Sequence, residues 1–267
     1  MKKILLASLI AVSSQFALAD NAPQVDPAFA KIETLVKAKN FNEAYKELDK
    51  LAQTGNAQAI YDLGFLTQAG QGTTKNDAKA LELFKQSADK GYPTANYLLG
   101  KTYISGGLGV KPDQKTAINY LEKAAKQGIE EANVDLAALY LGENKDASTK
   151  KALKLLDPLV KKGNPQALHL RALYDINTGM KEKKDASVKA GLDSIQALAQ
   201  KGYVPALMEV GNILATGKLV KQNLPEAKKI FGMLAEKNVP HAKEALDAVT
   251  NLMAQQAKAP ASTAKKG

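Results

Sequence analysis

Two short patterns and two isolated imidazoles are the places where this 267-residue chain could do covalent or metal chemistry. Ser148-Thr149-Lys150-Lys151 has the S-x-x-K spacing of penicillin-recognising enzymes, in which a lysine one helical turn away activates a serine hydroxyl for acyl transfer. The accompanying S-D-N and K-T-G elements are missing, and the four residues stand before an apolar helical pattern of Ala152, Leu155, Leu156 and Leu159. They read as a helix start opened by Ser148 or Asp146. Gly211 to Lys218 resembles a phosphate loop only superficially: the glycine spacing is wrong and no Ser or Thr follows the lysine, so it reads as a turn. His169 and His241 are the only histidines, lie far apart in sequence, and have no cysteine or second histidine at ligand spacing. The residue types imply no catalytic group, no metal and no cofactor.

The elements that carry these residues follow from a repeat. Gly55, Gly91, Gly128, Gly163, Gly202 and Asn238 fall at intervals of 36, 37, 35, 39 and 36 residues. Four residues past each anchor stands alanine every time, at 59, 95, 132, 167, 206 and 242. Eleven before the anchors lie Ala44, Ala80, Ala117, Ala152, Gly191 and Ala227, and seven before lie Leu48, Phe84, Leu121, Leu156, Ile195 and Phe231. Gly or Asn tolerates the left-handed backbone that ends a helix, and Lys90, Lys162, Lys201 and Lys237 complement the negative end of the helix dipole. Pro93, Pro165, Pro205 and Pro240 follow, where the next helix starts and a missing N–H costs nothing. The alanine column, with Gly64, Gly100, Ala137, Ala172 and Gly211, removes bulk where two antiparallel helices come within about 8–10 Å. In the first two full repeats, Gly70-Gln71-Gly72 and Gly106-Gly107-Leu108-Gly109 supply the reversal inside the pair, and Asn76-Asp77 or Pro112-Asp113 caps the second helix.

The phrase Ala95, Leu99-Gly100, Tyr103, Gly106, Gly109-Val110, Asp113, Ala117, Ala124-Ala125, Gly128 resembles the Sel-1-like repeat, a tetratricopeptide-type helical repeat. Residues 56–91 resemble it almost as closely, whereas the repeats beginning at Ile129, Asn164 and Tyr203 keep the alanine and helix-stop columns but lose the glycine turn. The resemblance implies an all-α fold, a right-handed α-solenoid superhelix of antiparallel helix pairs. The expected boundaries are a half-unit at 27–55, units at 56–91, 92–128, 129–163, 164–202 and 203–238, and a capping helix at 239–257. It also implies a scaffold of the kind that assembles complexes in signalling, envelope polysaccharide export, secretion and cell-wall metabolism. Some members are cysteine-rich and linked to penicillin binding; the absence of cysteine here counts against that branch.

Aligned on the Leu-Gly step of tetratricopeptide repeats, positions six and ten past each anchor should face a concave groove. Column six holds Tyr61, Tyr97, Val134, His169 and Met208, and column ten holds Phe65, Lys101, Ala138, Leu173 and Asn212. Aromatic, thioether and imidazole groups there suit an apolar or extended peptide. Column six has an equal alternative, packing between neighbouring pairs, so column ten discriminates.

The ends of the chain bear on location. Lys2 and Lys3, the apolar run Ile4 to Val12 and Ala17-Leu18-Ala19 read as a cleavable signal peptide over 1–19, which places the mature protein in a bacterial periplasm, with secretion as the alternative. Lys258 to Gly267 reads as a polar, disordered tail. Without Lys2 and Lys3 the formal charge falls from +10 to +8, which favours acidic partners, yet Arg171 is the only arginine. That scarcity argues against nucleic acid as a partner, and the lysines read mainly as solvated helix faces. The expected partners are envelope proteins, bound without a membrane anchor. The sequence-level function is a non-enzymatic adaptor for an envelope machine, the alternative a cell-wall enzyme modulator or a peptidoglycan- or β-lactam-binding protein.

Overall fold

The computed structural model describes residues 27–258. The signal-peptide reading at 1–19, and the tail reading beyond Lys258, lie outside the described residues. Thirteen α-helices and no strand occur among the described residues. In chain order they are α1 (Pro27–Lys37), α2 (Phe41–Gln53), α3 (Ala57–Ala69), α4 (Asp77–Asp89), α5 (Pro93–Ser105), α6 (Gln114–Lys126) and α7 (Glu130–Gly142). There follow α8 (Asp146–Lys161), α9 (Pro165–Glu182), α10 (Asp185–Gln200), α11 (Val204–Thr216), α12 (Leu224–Glu236) and α13 (Ala242–Lys258). They form two compact units, one ending at Leu139 and one beginning at Tyr140, so the boundary falls within α7.

The anchors do what their residue types demand. Gly55, Gly91, Gly128, Gly163 and Gly202 have φ between 78° and 94°, and Asn238 has φ 54°. Each anchor N–H donates to the carbonyl three residues back, and the next N–H donates five back, as in Tyr92 N to Ser87 O at 3.1 Å and Tyr203 N to Leu198 O at 3.0 Å. This Schellman pairing satisfies the carbonyls a helix end leaves open and turns the chain into the next pair.

The small and large columns interlock. The six alanines four past the anchors are all 0% exposed. A Cβ on Gly64 would lie 2.7 Å from the Phe84 ring, one on Gly100 2.6 Å from Leu121, and one on Gly211 2.6 Å from Phe231. The first helix of each of these pairs thus has a notch for a large buried residue of the second. In the α9–α10 pair the notch changes sides: Gly191 of α10 packs where a Cβ would meet the Ala172 carbonyl and Ile176, both at 2.6 Å. Side-chain hydrogen bonds brace the helix ends in the first unit. Ser87 Oγ donates to Ala57 O at 2.6 Å, and Gln127, one residue before an anchor, donates from Nε2 to Gly91 O at 2.8 Å while its Oε1 accepts from Asn96 Nδ2 at 3.0 Å.

Three details differ from the sequence reading. Residues 27–55 form a full helix pair, α1 and α2, because Lys39 at φ 59° closes the reversal in place of a longer loop. The repeat beginning at Tyr203 keeps its turn: Gly217 caps α11 at φ 67°, Asn223 accepts from the Glu226 N–H, and one glycine does what two or three do earlier. Gly211, taken with Lys218 as part of a turn, is instead a buried residue within α11. The repeats that do lack the glycine turn absorb it into helix. Both α8 and α10 start about one turn earlier relative to their anchors than α4, α6 and α12, and Lys183 at φ 57° makes the reversal after α9.

Candidate functional site

The candidate groove residues lie on the first helix of each pair, and their surroundings separate them by role. In the first unit Tyr61 packs edge-on against Phe65, with centroids 4.8 Å apart. It also lies 5.5 Å from Phe84 and 5.1 Å from Tyr92, the residue just past the next anchor. Phe65 in turn meets Phe84 at 5.0 Å. In the second unit His169 makes the same contact with Tyr203, T-shaped at 5.7 Å, and burial lowers its pKa. Tyr61 and His169 therefore pack against the following pair, the second reading offered for column six. Met208 is partly buried against Leu224, Ala227, Phe231 and Val249, and Leu173 against the α9–α11 core.

Tyr97 behaves differently. Its hydroxyl lies against the Asp135 carboxylate, and burial with that charge raises its pKa. Lys101 Nζ reaches the same carboxylate at 3.1 Å, which joins α5 to α7 within the first unit. Column ten is the more open: Lys101, Ala138 and Asn212 are exposed, Phe65 and Leu173 half-buried. Val134 is half-buried.

A set of acids escaped the sequence reading. Seven past the anchors stand Asp62, Asp135 and Glu209, alternating with Leu98 and Leu170. Asp62 is 8% exposed; burial pushes its pKa up to about 7, against a hydrogen bond from Gln58. Burial raises Glu209 as well. The available signal was an acid in an otherwise apolar column.

The chemistry-bearing motifs are dispersed. Ser148 lies in the first turn of α8, behind Asp146, and donates to Glu143 Oε2 at 2.7 Å, while Lys151 Nζ stands over the Tyr140 ring at 5.5 Å. Serine and lysine are thus each committed to another partner. His241 is exposed in a turn at φ 64°. Among the described residues no group of three or more His, Cys, Asp or Glu side chains is placed to hold a metal, and no helix is long and apolar enough to cross a membrane.

Comparison with known proteins finds a known repeat in part of the chain. The Sel1 repeat profile matches residues 57–92, 93–129 and 204–239, the three pairs whose turns keep a glycine cap. A solved Sel1 repeat protein from Oxalobacter formigenes superposes with a TM-score of 0.63 at 22% identity, over 84% of this chain and 88% of that one. Among curated proteins, chitin synthase regulatory factor 3 of Schizosaccharomyces pombe is 28% identical over 167 residues, 59% of this chain and 17% of its own length. The alginate biosynthesis protein AlgK of Pseudomonas putida is 28% identical over 156 residues, 53% of this chain and 32% of its own. The chain therefore spans no more than a third of these two curated relatives.

Proposed function

We propose that this chain, three of whose helix pairs are Sel1 repeats, is a non-enzymatic adaptor that binds envelope proteins and helps assemble or position a secretion or polysaccharide-export machine. The observation that carries the reading is the division of labour on the first helices. The alanine and glycine columns are consumed by the core, while Lys101 and Asn212, one residue past Gly100 and Gly211, stay exposed. Phe65 in the first unit and Leu173 in the second each offer partly open apolar surface, the kind of anchor from which protein interfaces are built. The names of two relatives support the choice of machine: one is a regulatory factor of a polymer synthase, the other a polysaccharide biosynthesis protein. The first of these also favours the second reading, a modulator of a cell-wall enzyme. The proposed location is the periplasm, reached through residues 1–19; mass spectrometry of the protein from its own cells should then find Asp20 first, and an intact Met1 in a cytoplasmic fraction would remove this location.

The groove is tested by replacing Phe65, Lys101 and Asn212 together with alanine and running two measurements on the same variant. In-cell crosslinking followed by mass spectrometry should lose the captured envelope partner, while the circular dichroism melt keeps its helical amplitude. Undiminished capture would show that these columns are not the docking face.

A further inference from the structure

The lysines are not distributed as a merely solvated surface would have them. On four helices, α2, α4, α10 and α12, an exposed lysine is matched by an acid one turn away: Lys46 with Glu43, Lys50 with Glu47, Lys79 with Glu82, Lys189 with Asp193 and Lys229 with Glu226. That is the arrangement that stabilises a helix in water. Helix α8 breaks it. At 3.6 residues per turn, Lys150, Lys154 and Lys161 fall within about 60° of one another, in a stripe about 16 Å long opposite the buried Ala152, Leu156 and Leu159. All three are exposed, and none is in an ion pair among the described residues. Lys151 borders the stripe, over the Tyr140 ring.

Asp146 stands one turn before Lys150 without pairing to it, and between Lys150 and Lys161 the stripe contains one acid, Asp157, at a spacing that would suit Lys154 or Lys161. That carboxylate is taken by the only arginine of the chain: Arg171 of α9 reaches Asp157 Oδ1 from its η1 nitrogen at 3.1 Å while its ε nitrogen holds Asp175 at 3.0 Å. Arg171 therefore removes the stripe's counter-charge and leaves like charges one turn apart at 150 and 154, a mildly unfavourable arrangement in the free protein. An incoming row of carboxylates would relieve it.

We infer that the outer face of α8 is a second docking surface, which takes an acidic, Asp/Glu-rich segment of a partner protein along Lys150, Lys154 and Lys161. This goes beyond the groove and rests on the adaptor reading only in that the occupant is a protein. A lipid surface is the poorer fit, because interfacial helices insert large apolar groups beside their lysines, and α8 places its leucines away from the stripe, with none of its large apolar residues exposed.

The test uses purified full chain, fluorescent poly-L-glutamate as the probe and vesicles of phosphatidylglycerol in parallel, so that it is independent of partner capture. Lys150→Glu/Lys154→Glu/Lys161→Glu should weaken binding at least about tenfold and flatten its salt dependence. The charge-matched variant Lys218→Glu/Lys228→Glu/Lys243→Glu, with the same net charge, should change it by less than about twofold. If the first variant loses helicity, Lys150→Gln/Lys154→Gln/Lys161→Gln keeps good helix formers and should show the same ranking. Equal losses in the two charge-matched variants would reduce the effect to net charge and overturn the assignment. So would vesicle binding by a wild-type chain that ignores poly-L-glutamate.

Discussion

At the scale of single residues, the chain relies on the absence of side chains as much as on their presence. Gly211 leaves the space that the Phe231 ring fills, so Gly211→Val should overpack the pair by about 1–3 kcal/mol and lower the melting temperature. Adding Phe231→Leu to that variant should recover part of the loss, and a double-mutant cycle by denaturant titration measures the coupling. Asp62 gives a pH prediction of opposite character. Because burial raises its folded pKa to about 7, above that of an unfolded aspartate near 4, the folded state binds the proton more tightly. Its contribution is then full below about pH 4, declines as pH rises toward 7 and is lost above it, a change on the order of a few kcal/mol. Asp62→Asn should therefore be more stable than the parent at pH 8, with the difference closing toward pH 4; urea titrations at both pH values read this directly, and a pH-independent difference would show that Asp62 is not the titrating group.

At the scale of elements, the inter-pair turns were legible in the sequence and the turns within pairs were less so. The anchors could be read because one backbone conformation recurs six times and only Gly or Asn satisfies it well, while the alanine column recurs because helix proximity has a single solution there. Gly217 and Asn223 were missed because a lone glycine and a cap six residues on do not resemble the glycine-rich loops at Gly70 and Gly106, although they end and start their helices in the same way. The role of column six was undecidable from its own residues: Tyr61 and His169 pack where they do because Tyr92 and Tyr203 follow the next anchor, a relation between two columns. Lys183 makes a reversal that costs an L-residue about 1 kcal/mol or more. Lys183→Gly should accordingly raise the melting temperature by roughly 2–4 °C, measured by scanning calorimetry.

At the scale of the whole molecule, stability in a helical-repeat chain is a sum of pair and neighbour terms, so protection should follow position. Among the described residues the end helices α1 and α13 pack against a pair on one side only, whereas α4 and α5 bury Ala80, Phe84, Ala95 and Leu99 between pairs. Amide hydrogen exchange followed by mass spectrometry should be slowest in α4 and α5 and fastest in α1 and α13; uniform protection would indicate one cooperative unit. The contrast between conserved anchors and variable tips has a further consequence, for how such a chain can change. Phase is set where one pair hands over to the next, and reach is set at the opposite end, where the segment between helices ranges from two residues after α9 to eight after α5. Residues inserted between Lys183 and Lys184 would alter what one pair presents and leave every column in step with its anchor, while the same insertion after Gly128 would move Ala132 and its partners out of step with theirs. Insertion and deletion, usually the harshest edits a packed protein suffers, are here a route to new surface.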